Sequence, residues 1–336
     1  DYLERLQIHR TEYYALVLFA VTGMILMASA IDLIVLFLGI ELMSLCLYVL
    51  AGFMRTKTRS NESALKYFLL GAFATGFLLY GIALIYGTTG TTNLRTISQT
   101  FESHSTDVVF LLGVGMLIMA LSFKVAAAPF HMWAPDVYEG APTSVTAFMS
   151  TAGKAAAFAA FAAVFLRSFS FAGTNVSSLL AVLAATSMIV GNVTAIAQSN
   201  IKRMLAYSGV AHAGYILAGI AAGNADGQVG ILFYLAAYVL MNLGAFGVVS
   251  LVEGENDSKL TFDDYAGLST QQPALAACMA LFMFSLAGIP PFAGFFGKYY
   301  VFLAAVKADM VWLAIVGVLT SLISVYYYLR WVGFMY

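Results

Sequence analysis

Apolar residues run along this chain in long stretches, and short segments between them hold most of its charged and polar residues. Each stretch is about twenty residues or longer, which is enough for a helix to cross a hydrocarbon layer about 30 Å thick. Strands of a membrane barrel would alternate polar and apolar positions over about ten residues, and these stretches do not alternate. Backbone groups in lipid must be satisfied within their own segment, so the pattern predicts transmembrane helices.

We predict an all-α, polytopic transmembrane fold with ten spans. The predicted spans cover about 12–30, 32–54, 62–86, 107–134, 142–166, 177–197, 201–222, 228–252, 273–306 and 310–332. With the amino end of the chain on the cytoplasmic side, most basic loop residues fall inside, and Arg95, Arg167 and Lys307 fall outside. This asymmetry follows the positive-inside rule and supports both an even number of spans and this orientation.

All six prolines flank or interrupt two of these spans, the fourth and the ninth. A proline inside a helix removes a backbone donor and clashes with the preceding turn, so we expect breaks at Pro129 and at Pro290-Pro291. Paired broken helices at corresponding places in two halves indicate inverted repeats. The sequence therefore predicts a single domain, 1–336, made of two inverted five-helix repeats, 11–167 and 177–336. Two ordinary kinked helices are the alternative.

Composition agrees with a membrane protein and narrows the possible functions. Hydrophobic residues make up 61% of the chain and charged residues 10%, against about 25% charged in an average soluble domain. The net charge is −1 and no basic cluster is visible, so we expect no nucleic-acid partner. Cys46 and Cys278 lie far from each other and from histidine, and we find no CxxC motif and no nucleotide-binding glycine loop. We therefore expect no cofactor and no metal in this chain, and any redox chemistry on other chains.

Ionisable residues near the middle of the predicted spans are the candidate functional site. They are Glu41, Lys124, Lys154, His212 and Lys298. A charge at the bilayer centre costs from ~3 to more than 10 kcal/mol, so such residues persist mainly where they are paired, hydrated and useful. Burial and pairing act on their protonation in opposite directions, which leaves it close to balance and suits a proton relay. A static ion pair between Glu41 and one lysine is the alternative, and His212 alone could equally be a satisfied core histidine.

Asp136 and Glu139 follow the fourth span, next to Gly140 and Pro142. Glycine and proline are typical of turns, so we expect these carboxylates in a short cytoplasmic turn rather than in proton uptake.

The segment 123–143, FKVAAAPFHMWAPDVYEGAPT, resembles the proton-translocating membrane signature of respiratory complex I. Its VYEGAP turn is similar to that of chain N, the bacterial counterpart of mitochondrial subunit 2. Four further segments resemble the same family: GIEL at 39–42, STAGK at 150–154, NIKRMLAYS at 200–208 and AGIPPFAGFFGK at 287–298. The resemblance thus covers nearly the whole chain.

The resemblance implies an antiporter-like subunit of fourteen helices whose central ten form the inverted repeat. This chain would begin at the fourth of those helices and stop at the thirteenth, so we expect a fragment or a partial chain. Glu41 matches the glutamate of the family's fifth helix, Lys124 and Lys154 match the lysines of the seventh and eighth, and Lys298 matches the lysine of the twelfth.

The family further implies the cofactors, partners and location. NADH oxidation and quinone reduction would occur on neighbouring subunits, which would hold NAD, FMN, iron-sulfur clusters and quinone. The partners would be the other membrane-arm subunits, the lipid bilayer, protons and water, in a bacterial inner (plasma) membrane.

The predicted function is that of a proton-translocating subunit of NADH:quinone oxidoreductase, a translocase whose buried Glu/Lys/His relay is driven by redox chemistry elsewhere. A cation/proton antiporter without redox partners is one alternative. A structural spacer of the membrane arm with static charges is another.

Overall fold

The structure, a computed structural model, describes residues 2–6, 10–104, 106–168, 175–254 and 259–336. Helices make up 83% of the described residues, no strand occurs among them, and the predicted all-α class is confirmed. The helices are α1 Tyr2–Arg5, α2 Thr11–Ser29, α3 Leu33–Ala51, α4 Thr58–Thr89, α5 Leu94–His104, α6 Val108–Lys124, α7 Ala134–Gly140, α8 Thr143–Phe148, α9 Lys154–Ala162, α10 Asn175–Ile196, α11 Ile201–Ala222, α12 Ala225–Val252, α13 Leu268–Gln271, α14 Pro273–Ala287, α15 Ala293–Lys307 and α16 Val311–Met335. The side chain of Arg167 and residues 169–174, which join the two predicted repeats, lie outside the described residues.

Eight helices in the described ranges are long and apolar enough to cross a membrane. They are α2, α3, α4, the continuous segment Thr143–Leu166, α10, α11, α12 and α16. A ninth span results if Asp263–Gln271 and Pro273–Ala287, which are bent by 119° to each other, count as one. The two remaining predicted spans, the fourth and the ninth, correspond to shorter helices: α6 has 17 residues, and α14 and α15 have 15 each.

Both predicted helix breaks are present. Helix α6 ends at Lys124, and the chain stays irregular up to the start of α7. Helix α14 ends at Ala287, and Gly288 ends it in the left-handed conformation, with φ +85°. A left-handed C-terminal residue is the usual role of glycine at a helix end, because glycine has no Cβ to clash there. The interruptions at Pro129 and Pro290-Pro291 are therefore confirmed.

Glycines bring neighbouring helices into backbone contact. A Cβ on Gly23 of α2 would lie 2.6 Å from the Met43 backbone nitrogen of α3, and one on Gly191 of α10 would lie 2.5 Å from the Ala211 nitrogen of α11. Lipid tails are as apolar as side chains, so membrane helices associate through such close packing rather than through a hydrophobic drive between them. These contacts make α2–α3 and α10–α11 two tight helix pairs.

The outer surface of the bundle is apolar. Leu18, Phe73, Leu232 and Leu240 are each about 70% exposed, and they lie on three helices, α2, α4 and α12. A soluble protein rarely exposes so many large apolar side chains, whereas lipid solvates them. The inward faces hold the polar residues, which is the arrangement expected when the helices shield a polar interior from the hydrocarbon.

Candidate functional site

Lys124 is the last residue of α6, immediately before the first break. Its side chain is 7% exposed, and its Nζ donates hydrogen bonds to Ser44 Oγ at 2.7 Å and to Tyr48 Oη at 3.4 Å. Both acceptors belong to α3. The carbonyl groups at the end of a helix carry partial negative charge, so the end of α6 is a favourable place for an ammonium.

Glu41 lies one helical turn from Ser44 on α3 and is half-buried. The Thr75 hydroxyl of α4 donates to Glu41 Oε1 at 2.6 Å. Within the described residues, no lysine nitrogen lies within 4.0 Å of this carboxylate. Glu41 therefore lies one turn of α3 away from the Ser44 hydroxyl that binds Lys124, and the two charged groups do not form a direct ion pair.

Lys154 follows a π-helical turn, Met149–Gly153, which interrupts the span between α8 and α9. Such turns occur frequently at functional sites, because they shift the side chains that follow relative to a regular helix. The Lys154 side chain is 3% exposed; its Nζ donates to the Gly209 carbonyl of α11 at 2.7 Å and lies 5.6 Å from the Tyr238 ring centre.

His212 lies midway along α11 and is 1% exposed. Its Nδ1 is 2.8 Å from the Tyr234 hydroxyl, and its Nε2 is 3.1 Å from the Tyr328 hydroxyl, which also bonds to the Ser208 hydroxyl. A hydroxyl can donate or accept, so this cluster satisfies either neutral tautomer of the imidazole.

Lys298 lies on α15, yet its side chain reaches back across the second break. Its Nζ donates to the carbonyls of Leu286 and Ala287, the last residues of α14, at 3.0 and 2.9 Å. Its third hydrogen bond goes to Ser321 Oγ of α16 at 2.8 Å. The Lys298 ammonium thus lies at the negative end of the half-helix α14. Lys124 is itself the last residue of α6, but its Nζ contacts α3.

The three lysines share one property. Each is less than 10% exposed, and each is held by hydroxyl and carbonyl oxygens, with no carboxylate oxygen within 4.0 Å in the described part of the chain. Neutral ligands can remain in place when an ammonium gives up its proton, because no unpaired carboxylate is left behind. The arrangement can therefore hold either protonation state of each lysine.

Sequence reasoning missed a cluster of ion pairs around α7. Asp136 accepts from Lys66 of α4 and from Arg203 of α11, both at 2.7 Å, and Glu139 accepts from Arg203 at 2.9 Å and from Arg59 at 3.3 Å. Burial alone would raise the pKa of Asp136, but the hydrogen bonds from Lys66 and Arg203 outweigh it and lower that pKa. These residues line a polar pocket of about 230 Å³. Asp136 and Glu139 thus anchor the short helix after the break to two other helices.

Two further buried groups were not singled out from the sequence. Lys202, at the start of α11, is fully buried, and its Nζ donates to the Ala141 carbonyl at 2.8 Å. Glu253, at the end of α12, is also fully buried and accepts from the Thr143 hydroxyl at 2.5 Å. The polar contacts around α7 and α8 thus continue into the second half of the chain.

Tyrosines and an asparagine form a second missed network beside Lys298. Tyr327 donates to Asn192 Oδ1 at 2.9 Å, and Asn192 Nδ2 donates to the Tyr215 hydroxyl at 3.0 Å. The Tyr215 ring lies 5.0 Å below Lys298 Nζ. On the sequence alone these residues look like packing, because tyrosine is common in apolar helices.

The fold and the buried charges define a polytopic helical membrane protein with three buried lysines and a buried histidine in its interior. A family model described as NADH:quinone oxidoreductase/Mrp antiporter, TM, matches residues 30–324, and the chain belongs to this family. The resemblance found in the sequence is confirmed.

Three known proteins illustrate the relationship. NADH-quinone oxidoreductase subunit N of Trichlorobacter lovleyi is 55% identical over 100% of this chain and 69% of its own length. A chain of respiratory complex I from Thermus thermophilus superposes with a TM-score of 0.86 and is 41% identical, covering 97% of this chain and 71% of that one. A chain of the Mrp complex from Dietzia sp. has a TM-score of 0.86 and 28% identity, covering 94% of this chain and 59% of that one.

Proposed function

We propose that this chain is a proton-translocating membrane-arm subunit of an NADH:quinone oxidoreductase. Protons pass along Lys124, Lys154, His212 and Lys298, and Glu41 biases Lys124 electrostatically. The chain carries no redox centre of its own. NAD, FMN, iron-sulfur clusters and quinone belong to the partner subunits, and redox chemistry there drives the movement of protons here.

One observation carries this proposal: three lysines lie inside an apolar bundle, and neutral oxygens hold them. A structural ion pair would place a carboxylate against each ammonium, because a lone charge in a low dielectric is costly. Here Ser44, the Gly209 carbonyl and the end of α14 take that place. A charge that is solvated but not paired is what a group needs in order to load and release a proton.

Proton uptake is proposed at the polar pocket beside α7, in place of the turn role that the sequence predicted for Asp136 and Glu139, which lie in a short helix. Asp136 and Arg203 line this pocket. The first break separates α7 from Lys124, the last residue of α6. We place this side in the cytoplasm, together with the amino end of the chain, in the inner membrane of a bacterium. The positive-inside rule supports this orientation.

We also propose that the chain is one domain, 1–336, made of two inverted repeats, 11–167 and 177–336, with ten spans in all. The two breaks support this organisation, since a buried lysine belongs to each: Lys124 is the last residue before the first break, and Lys298 binds the carbonyl end of α14 at the second. Discontinuous helices of this kind, at matching places in two halves, are typical of transporters built from inverted repeats.

A cation/proton antiporter without redox partners is the second candidate, and the likeness to the Mrp complex chain favours it. Sequence identity favours the subunit of NADH:quinone oxidoreductase over the antiporter. The relative named subunit N is 55% identical to this chain, whereas the Mrp complex chain is 28% identical. Co-purification with flavin-containing and iron-sulfur subunits distinguishes them, because an antiporter without redox partners would not bring such subunits with it.

The experiment is Lys124→Ala in the full-length chain within the assembled complex, reconstituted into liposomes. We expect fewer protons pumped per NADH oxidised, because the first buried carrier of the row is missing. Lys307→Ala is the matched control, since it removes a lysine whose partner is the exposed Asp226. Normal assembly with an unchanged pumping ratio in the Lys124 variant would refute the proposal.

A further inference from the structure

Tyr238 of α12 has a buried hydroxyl with no hydrogen-bond partner within 3.5 Å among the described residues, and its nearest polar neighbour on α12 is the side chain of Asn242, one turn further on. Its side chain is 1% exposed. Phenylalanine would fill the same space without burying an unpaired polar atom, and buried polar groups in native proteins are nearly always paired. The unpaired oxygen therefore needs an explanation other than packing.

The position of Tyr238 supplies one, because its ring packs near both Lys154 and His212. The Tyr238 ring centre is 5.6 Å from Lys154 Nζ and 5.1 Å from the centre of the His212 ring. A Cβ built on Gly209 would lie 3.0 Å from Lys154 Nζ and 3.1 Å from Tyr238 Oη, so these two atoms are within about 6 Å of each other. One water molecule with hydrogen bonds of about 3 Å can bridge such a gap.

Lys154 has donors to spare for such a bridge. An ammonium carries three N–H groups, and the Gly209 carbonyl takes one of them. On the other side, Tyr234 lies one turn before Tyr238 on α12, and its hydroxyl contacts His212. The same face of α12 thus approaches Lys154 through Tyr238 and contacts His212 through Tyr234.

A second unpaired polar atom marks the same place. Asn242, one turn after Tyr238, is 1% exposed, and its Oδ1 has no partner among the described residues. Residues four apart share one face of a helix, so Tyr234, Tyr238 and Asn242 form a polar stripe on α12. A polar stripe with two unused oxygens fits a hydrated gap better than a dry contact.

We propose that the Tyr238 hydroxyl passes protons from Lys154 to the cluster of His212, Tyr234 and Tyr328. This inference rests on the proposed function, and it identifies the group that joins the first half of the path to the second. The hydroxyl oxygen receives a proton from the Lys154 side while its own proton leaves towards the histidine cluster. The phenol is therefore neutral before and after each transfer.

The test is Tyr238→Phe in the assembled complex. The substitution keeps the ring and removes one oxygen that makes no bond, so a purely structural role predicts unchanged assembly and pumping. Intramolecular proton-transfer groups contribute on the order of a hundredfold or more to rate, but water can replace part of this, so we expect pumping about tenfold slower. We also expect D2O to slow pumping more strongly in this variant than in the wild type, because proton transfer would limit the pumping rate of the variant.

Tyr265→Phe is the matched control. Tyr265 is also fully buried, its hydroxyl also has no partner in the described ranges, and its ring packs against Trp331 rather than a row lysine. This variant should pump like the wild type and show the wild-type D2O effect.

The outcomes separate the two proposals. If Tyr238→Phe matches Tyr265→Phe in rate and isotope effect, Tyr238 is not a relay, although loss of pumping in Lys154→Ala would leave the proposed function standing. If Lys154→Ala also pumps normally, both proposals fail. Should Tyr238→Phe not assemble, Gly209→Ala decides, because its methyl group fills the point between Nζ and Oη. Slow pumping there supports the relay, and wild-type pumping overturns it.

Discussion

A single methyl group at Gly294 should disconnect Lys298 from the end of α14. Gly294 lies in the first turn of α15, and a Cβ added there would be 1.8 Å from the Ser285 carbonyl oxygen of α14. An ordinary contact needs about 3.4 Å, so the two half-helices must separate by about 1.6 Å. Lys298 bonds to the α14 carbonyls at 2.9 and 3.0 Å, and the same shift would lengthen these distances beyond hydrogen-bond range.

The cost of Gly294→Ala can be bounded from the same geometry. Inserting a methyl group into a packed core costs about 1–3 kcal/mol, and a clash with backbone cannot be relieved by rotating a side chain. We expect the upper part of this range, measured as a lower thermal midpoint of the purified complex. Protons pumped per NADH oxidised should also fall in the complexes that remain assembled.

Gly247→Ala is the control for this prediction. Gly247 lies within α12, and no atom outside its own helix turn lies within 4 Å of a Cβ added there. Alanine favours a helix over glycine by about 0.5–1 kcal/mol, so this variant should be as stable as the wild type or more so. If Gly294→Ala behaves like Gly247→Ala in stability and pumping, the tight junction between α14 and α15 does not position Lys298.

Two further predictions concern the first half of the chain. Asp136→Asn should lower the free energy of unfolding at neutral pH by about 1 kcal/mol or less for each of its two partly exposed ion pairs, and the thermal midpoint should fall accordingly. The lowered pKa of Asp136 makes this contribution fully present above its unfolded value of about 4, so the difference from the wild type should shrink below about pH 4; a gap that persists there contradicts the assignment. Thr75→Val removes the hydroxyl that donates to Glu41, an interaction with a charged group worth about 1.5–3 kcal/mol. Slower NADH-driven pumping with normal assembly is expected, and wild-type pumping would remove Glu41 from the account.

Local chemistry explains which parts of this fold could be predicted from the sequence. Apolar length and proline act within one segment, so the helices and both breaks follow from residues close together in the chain. The span count does not follow from the same signals, because the breaks divide the apolar stretches 107–134 and 273–306 into helices of 15 to 17 residues, α6, α14 and α15, each shorter than a full span. A charged side chain in an apolar helix is costly to bury in the bilayer, so lysines and glutamates stand out there, and Glu41 and Lys298 could be singled out.

The partners of those residues could not be predicted, because they depend on which helices meet. Lys66 and Asp136 are 70 positions apart, and Ser208 and Tyr328 are 120 apart. Serine and tyrosine carry little cost in a membrane helix, so neither stands out in the sequence. One signal was available: the spacing of four between Tyr234, Tyr238 and Asn242 places three polar groups on one face of an apolar helix.

The central claim is that the buried lysines are connected by water. A density map of the assembled complex at a resolution that shows ordered water tests it most directly. We expect a chain of water molecules that links Lys124, Lys154 and Lys298 and reaches the pocket beside Asp136. Lysines held in dry contacts, with no water between them or towards either side of the membrane, would contradict the account.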